Sequence, residues 1–196
     1  MFKALLLMLS VLAIPAAFAA EPTETVDAFH AGLLANMRAG NQVACADRMQ
    51  KLGAAVDKDF DIPFLAQRVL RKRWDGLTDT QHSQFISVFR ELVVITYVTN
   101  FSSYDGETFA TVDTQDMNGG FKNVRALLKP TSGDTVHFDY VLHKNNDGWR
   151  IVNIIADGVS DLAVRSTQYE QKFQEKGYDG LIAALREQIV KAKEKC

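Results

Sequence analysis

The sequence lacks an excess of charge of either sign. Its 22 Lys and Arg residues are balanced by 24 Asp and Glu residues, which gives a formal net charge of −2. Domains that bind nucleic acid usually carry a clear excess of positive charge. No nucleic-acid partner is therefore predicted.

Cysteine is also scarce, since the chain contains only Cys45 and Cys196. There is no C-x-x-C pair and no nearby histidine cluster, so neither a redox motif nor a metal site is predicted. In an oxidising compartment the two thiols can form a disulfide, but a cysteine at position 196 can equally stay free. The sequence leaves both alternatives open.

Long apolar runs are missing after the first residues of the chain. Lys3, the apolar residues 4–14 and the small residues of Ala17-Phe18-Ala19 form the pattern of a secretory signal peptide, here residues 1–19. An uncleaved anchor is the alternative, although a spanning helix needs about 20 apolar residues. Proline and glycine, at 4 and 12 residues, form no linker, so residues 20–196 are predicted to be a single domain.

Three short helices are predicted in the first part of the exported chain, where apolar residues recur at helical spacing. Thr23 is expected to cap the first helix, which should end at Gly40, and the second should follow from Val43. Pro63 suits the first turn of the third, which is expected to continue to about Arg73.

A longer helix is predicted to follow, opened by a capping box of Thr78 and Gln81 and running to about Phe101. Its apolar face is too wide for one neighbouring helix, so we expect it to lie against a sheet. Because residues 93–96 are all β-branched and form a poor isolated helix, a strand there is the alternative.

The period changes from helix to strand after Gly106. The predicted strands are residues 107–114, 121–129, 134–143 and 149–156. Their joints are short, which makes neighbouring strands antiparallel. Two helices follow Gly158, the first capped by Ser160 and the second separated from it at Gly177. The predicted fold is α+β, a twisted antiparallel four-stranded meander packed by N-terminal and C-terminal helices.

Catalytic patterns are missing as well. Gly158-Val159-Ser160 resembles the start of a nucleophile elbow, but Leu162 stands where the second glycine is required. His137 and His143 are about 20 Å apart along a strand, too far to bind one metal ion. His30 and His82 are interpreted as surface residues. No enzyme, cofactor or metal site is predicted, and a small cone-shaped enzyme that uses Asp139 beside His137 is the alternative.

The predicted sheet and helices carry many bulky apolar residues, and no catalytic site is predicted among them. In an exported protein such a fold often holds an apolar ligand between sheet and helices. A lipid is the ligand that most needs a carrier to cross an aqueous compartment, because exposing a chain of ~16 carbons to water costs on the order of 12 kcal/mol. The alternative is a solid core in a non-catalytic adaptor that recognises a protein partner.

The ordered set of local patterns resembles the MlaC/toluene-tolerance family of periplasmic lipid-carrier proteins. The resemblance covers most of the exported chain, and its segments are 60–63 with the basic helix to Trp74, 78–81, 85–92, 149–153, 158–160, Arg165 and 177–182. After Gly158-Val159-Ser160 the residues Asp161-Leu162-Ala163 depart from the phospholipid branch. There the chain is more similar to the hopanoid-biosynthesis-associated HpnM branch.

The resemblance implies an NTF2-related fold without catalysis or cofactor, located in the periplasm. It also implies a phospholipid or hopanoid ligand, exchange with an inner-membrane lipid transporter and an outer-membrane complex, and transient contact with a membrane surface. The residues expected to line the lipid cavity are Phe85, Phe89, Leu92, Thr96, Phe138, Tyr140, Leu142, Trp149 and Ile151.

The basic cluster near Arg73 has two interpretations. Positive side chains complement the dipole at the end of a helix, so the cluster can be a solvated helix end. It can also be a docking patch for an anionic lipid surface or an acidic partner, and Arg68, Arg71 and Arg73 are the candidate docking residues.

Overall fold

The computed structural model describes residues 21–196, so the predicted signal peptide at 1–19 lies outside the described residues. The helices are α1 Pro22–Ala39, α2 Cys45–Asp59, α3 Ile62–Leu70, α4 Asp79–Asn100 and α5 Asp161–Glu194, and the strands are β1 Thr108–Asp116, β2 Lys122–Lys129, β3 Val136–Asn145, β4 Gly148–Ala156 and β5 Val159–Ser160. In this part of the chain no helix combines the length and apolar character needed to cross a membrane.

The starts of α3 and α4 follow the predicted local chemistry. The backbone amide of Gln81 donates to Thr78 Oγ1 at 3.3 Å, and the amide of Thr78 donates to Gln81 Oε1 at 2.9 Å. This confirms the capping box. Pro63 lies in the first turn of α3, whose Phe64 amide donates to Asp61 Oδ1 at 3.0 Å. The predicted cap at Thr23 is wrong, because α1 already begins at Pro22.

Helix α3 ends three residues earlier than predicted. Arg71 adopts φ 51° and ψ −130°, which stops the α-helix at Leu70. A 3-10 turn, Arg71–Gly76, then connects α3 to α4 and carries the rest of the basic cluster. A positive φ at a non-glycine residue is uncommon and costs conformational free energy. Nothing in the side-chain pattern signals this conformation. The helix predicted from the sequence period was therefore too long.

The sheet has five antiparallel strands in the order β1-β2-β3-β4-β5, one more than predicted. The extra strand is Val159–Ser160, which pairs with the end of β4 across a tight turn at Asp157 and Gly158, where φ is 46° and 82°. Asp-Gly suits a two-residue hairpin whose central residues both have positive φ. A strand of two residues is too short to show an alternating pattern, so it could not be predicted from the sequence.

Helix α1, and not α4, lies across the sheet. The Thr25 hydroxyl of α1 donates to the carbonyl oxygen of Trp149 at 3.3 Å, and the Thr111 hydroxyl donates to Asp27 Oδ1 at 2.6 Å. The expectation that the long helix lies against the sheet was therefore wrong. The wide apolar face of α4 packs instead against several helices, chiefly α2, α3 and α5.

Helix α5 is interrupted where the sequence predicted. Gly177 has φ 67° and ψ −170°, which separates the two helical segments. At the far end, Cys196 forms a disulfide with Cys45 of α2. The buried Arg48 guanidinium donates to the carbonyl oxygen of Cys196 at 2.8 Å. The open alternative about the two cysteines is thus resolved in favour of a disulfide that joins α2 to α5.

Candidate ligand groove between helices α3 and α5

An open groove of about 680 Å³ lies between α3 with its 3-10 turn and the beginning of α5. We call it the basic groove. Its lining residues are Phe64, Gln67, Arg68, Arg71, Lys72, Asp75, Ser160, Leu162, Ala163 and Ser166. Three of these are cationic and one is acidic, so the groove favours a negatively charged group.

A small internal cavity adjoins the basic groove. It has a volume of about 20 Å³, and Leu162 lines both spaces. Its other lining residues are Phe60, Leu65, Phe89, Val93, Tyr97, Asn153, Ile154, Asp161 and Arg165. A volume of about 20 Å³ suffices for about one water molecule, whereas ligand pockets usually measure about 300–1,000 Å³. The interior is therefore closed in this conformation.

Hydrogen bonds of Ser160 hold the first turn of α5, which forms one wall of the groove, in place. The Ser160 hydroxyl accepts from the Ala163 amide at 3.2 Å and donates to Asn153 Oδ1 at 3.1 Å. The prediction that Ser160 caps the helix is confirmed. Because β5 and α5 follow one another directly, the Asp157-Gly158 turn decides where Leu162 meets the groove.

A charged pair lines part of the cavity. Arg165 Nε donates to Asp161 Oδ2 at 2.7 Å, and the Arg165 side chain is only 12 % exposed. Burial alone would lower the pKa of Arg165, but the oxygens of Tyr169 and Asp161 stabilise the cation and its pKa is raised. The guanidinium therefore remains charged beside an otherwise largely apolar space.

The four predicted lipid-binding residues of α4 occupy different positions relative to this cavity. Phe89 lines it. Phe85 is buried and stacks on Phe89 with ring centroids 5.8 Å apart. Leu92 belongs to the packed core, and the Thr96 hydroxyl donates to the carbonyl oxygen of Leu92 at 2.6 Å.

The five predicted lipid-binding residues of the sheet do not line the basic groove or its cavity. Tyr140, Leu142 and Ile151 are fully buried in the core, while Phe138 and Trp149 are partly buried and pack against it. The structure thus brings Phe85 and Phe89 to the cavity region and places the sheet residues elsewhere. The lipid-binding role of all nine residues stays a prediction.

The three candidate docking arginines also separate. Arg68 and Arg71 line the basic groove, and the Arg68 guanidinium lies 5.0 Å from the centre of the Phe64 ring. Arg73 faces α5 instead, where Arg73 Nη2 lies 2.7 Å from Glu170 Oε1. The groove can therefore use two of these three cations.

Asp139 lacks the surroundings of a general acid or base. Asp139 Oδ1 accepts from Asn123 Nδ2 at 2.8 Å and from Arg125 Nε at 3.2 Å, and His137 is exposed. Within residues 21–196 no group of three or more His, Cys, Asp or Glu side chains is placed to hold a metal ion.

The interpretation of His30 as a surface residue was wrong. His30 is only 3 % exposed, its Nε2 lies 2.9 Å from the Tyr140 hydroxyl, and its ring stacks on Phe109. Burial lowers its pKa to about 4, although Asp27 raises it slightly. His82 is likewise partly buried, stacked on Trp74. His30 and its partner Tyr140 are far apart in the sequence, so no periodic pattern indicates that this histidine is buried.

Sequence reasoning missed several residues that line the basic groove. Phe64, Gln67, Leu162 and Ser166 were not among the residues predicted to bind a ligand. The Ser166 hydroxyl is the least expected, because the residue is 2 % exposed and its Oγ has no hydrogen-bond partner among the described residues. A serine inside an amphipathic helix gives no signal of this kind.

Comparisons with known proteins agree with this architecture. A model of the MlaC protein family matches residues 28–187. A phospholipid-binding protein from Ralstonia solanacearum, solved in complex with a phospholipid, superimposes with a TM-score of 0.74 at 21 % sequence identity, covering 88 % of this chain and 99 % of that chain. At this identity the likeness shows a shared fold. Since the family model spans most of the sequence, the chain belongs to the MlaC family.

Proposed function

We propose that this protein is a periplasmic lipid carrier that binds a phospholipid or a hopanoid. It shuttles this lipid between an inner-membrane lipid transporter and outer-membrane machinery, touching the membrane surface only transiently. The observation that carries the proposal is the adjacency of the basic groove and the cavity, which share Leu162. An amphipathic molecule needs such a pair of sites, one for its polar end and one for its chain.

Opening of the interior is part of this proposal. A cavity of about 20 Å³ cannot hold an acyl chain, so α3 and the beginning of α5 must move apart. This movement takes Leu65 and Leu162 away from Phe89 and opens a path from the groove. The Arg73–Glu170 pair that bridges the two elements is about 40 % exposed on both sides. Exposed ion pairs contribute little to stability, so this one offers little resistance to the opening.

Membership of the MlaC family and the fold shared with a phospholipid-binding protein support a lipid as the cargo. The energetic reason for a carrier is the cost of exposing an acyl chain, about 0.8 kcal/mol for each CH₂ group. The residues that surround Asp139 favour no reaction, since its carboxylate is occupied by Asn123 and Arg125. We therefore propose binding and transfer without catalysis or a cofactor.

A hopanoid is the second candidate cargo. The segment that resembles the hopanoid-associated branch, residues 156–163, forms the β4–β5 turn and the first turn of α5. These residues build one wall of the basic groove and include Leu162. A change in this segment therefore acts directly on the shape of the entrance.

Solvent extraction of the purified exported chain, followed by mass spectrometry, tests the proposal. We expect about one lipid for each protein molecule, either co-purified or taken up from vesicles of total bacterial lipid. A protein that binds no lipid after both treatments would contradict the carrier function and favour an adaptor with a solid core.

A pair of variants on α5 ties the bound lipid to this site. Leu162→Arg places a charge at the entrance to the cavity and should abolish lipid uptake. Val164→Arg is the matched control, because Val164 is on the same helix and is 43 % exposed. Equal loss of lipid in both variants would place the binding site elsewhere.

A further inference from the structure

The geometry points to the basic groove as a phosphate-recognition site, in which Arg68, Arg71 and Ser166 bind the phosphate of a glycerophospholipid headgroup. This inference rests on the proposed carrier function and names the chemistry that selects its cargo. It favours a phospholipid over a neutral hopanoid.

The first observation is the balance of charge in the groove. Arg68, Arg71 and Lys72 line it together with one acid, Asp75. All three cations are exposed, and among the described residues none of them forms an ion pair, whereas Arg73 on the same turn is paired with Glu170. Arginine binds phosphate through several parallel hydrogen bonds. The groove therefore holds two guanidinium groups free for an oxyanion.

The second observation is the Ser166 hydroxyl, which lies beneath these charges. Ser166 lines the groove, is 2 % exposed, and its Oγ has no partner among residues 21–196. A buried hydroxyl without a hydrogen bond destabilises the folded chain. A serine on a helix can usually bond to the carbonyl one turn earlier, but this one does not. A phosphate oxygen that enters as α3 and α5 separate supplies the missing acceptor.

The third observation is the backbone of Arg71. A non-glycine residue at φ 51° and ψ −130° is strained, and such strain is concentrated at binding and switch sites. The same residue ends α3 and turns the chain along the groove. This backbone conformation places the exposed cationic side chain of Arg71 in the lining of the groove.

Calorimetric titration with short-chain monomeric lipids tests the inference without a membrane. Dihexanoylphosphatidylglycerol and dihexanoylglycerol carry the same chains and differ by the phosphate-bearing headgroup. We expect the phosphate lipid to bind at least 10-fold more tightly, with a preference that weakens as salt is added. Equal affinity for both lipids overturns the inference but leaves the carrier function intact, whereas binding of neither removes the carrier function as well.

Three substitutions locate the preference. Arg68→Gln and Arg71→Gln should each reduce the preference for the phosphate lipid several-fold, while Arg73→Gln, on the same 3-10 turn but paired with Glu170, should keep it. Equal losses in all three variants would indicate a diffuse positive surface and contradict a phosphate site. Soluble glycerol phosphate distinguishes the source of the phosphate, because binding as tight as that of the lipid would make the ligand a soluble phosphate ester.

Ser166→Ala separates recognition from structure. A merely structural serine would lower the melting temperature of the empty protein when removed. Here the empty variant should be at least as stable as the original chain, and its affinity for the phosphate lipid should fall about 3-fold or more. Unchanged affinity would remove Ser166 from the site.

Discussion

Helix α1 and helices α3 and α5 bury similar apolar residues, but the two sides of the molecule are packed differently. Under α1, Phe29, Tyr140 and Leu142 are at most 1 % exposed, and the polar pair of His30 and Tyr140 is hydrogen-bonded. Between α3 and α5 there are a cavity, a strained arginine and a serine whose hydroxyl has no hydrogen-bond partner within residues 21–196. Both sides belong to one hydrophobic cluster, and the opening proposed for a ligand lies between α3 and α5.

Matched truncation of two phenylalanines tests this contrast most strongly. Phe29 packs edge-on against Phe60 and Tyr97 and is almost fully buried. Phe29→Ala should lower the free energy of unfolding by about 3–5 kcal/mol. Phe64 is partly exposed in the wall of the groove, so Phe64→Ala should lower the free energy of unfolding by only about 1–2 kcal/mol. Urea unfolding measures both, and similar losses would contradict the distinction.

The disulfide should hold the end of α5 without controlling the groove. It closes a loop with a sequence separation of 151 residues. Loop-closure entropy predicts that Cys45→Ser combined with Cys196→Ser lowers the free energy of unfolding by about 3–5 kcal/mol. Lipid uptake at 25 °C should persist, because the groove lies at the other end of this helix. Loss of lipid from a variant that remains folded would show that the two ends are coupled.

Acid should weaken the α1 side through His30. The pKa of His30 is lowered by burial to about 4 in the folded chain and is ordinary, about 6.5, when unfolded. Above pH 6.5 both states are neutral, so the histidine has no effect. Between pH 6.5 and 4 only the unfolded chain takes up the proton, so stability falls as pH falls, by roughly 3 kcal/mol in all.

The measurement needs two variants, because Asp59 acts in the opposite direction. Burial raises the pKa of Asp59 to about 6, although Lys58 and Arg150 counteract it, so the folded chain gains stability as pH falls through that value. His30→Gln should flatten the loss in urea-unfolding curves between pH 6.5 and 4, and Asp59→Asn should steepen it. A pH profile unchanged by His30→Gln would contradict the assignment.

The smallest expected effect is the relief of strain at Arg71. Arg71→Gly should stabilise the empty protein by about 1 kcal/mol relative to Arg71→Ala, since glycine tolerates φ 51° without penalty. Both variants remove the same charge, so their difference in melting temperature isolates the backbone. Equal stability would mean that the turn is not strained.

Much of the secondary structure could be predicted because its signals are local. The capping box of Thr78 and Gln81, the cap at Ser160 and the break at Gly177 each involve a few neighbouring residues. The candidate site could be predicted only in part. Phe89 lines the cavity and Arg68 and Arg71 line the basic groove, but a hydrophobic residue has the same pattern in a cavity wall as in a solid core.

The α+β class and the order of the elements other than β5 can be read from the sequence, since short-range periodicity and turn chemistry encode them. The family resemblance rests separately on the ordered set of matching segments. Long-range packing places α1 across the sheet, brings Cys45 to Cys196 and buries His30 against Tyr140. The same packing brings Leu162 and Ser166 into the lining of one groove with Arg68. Each of these outcomes depends on contacts between residues far apart in the chain, and no local pattern records them.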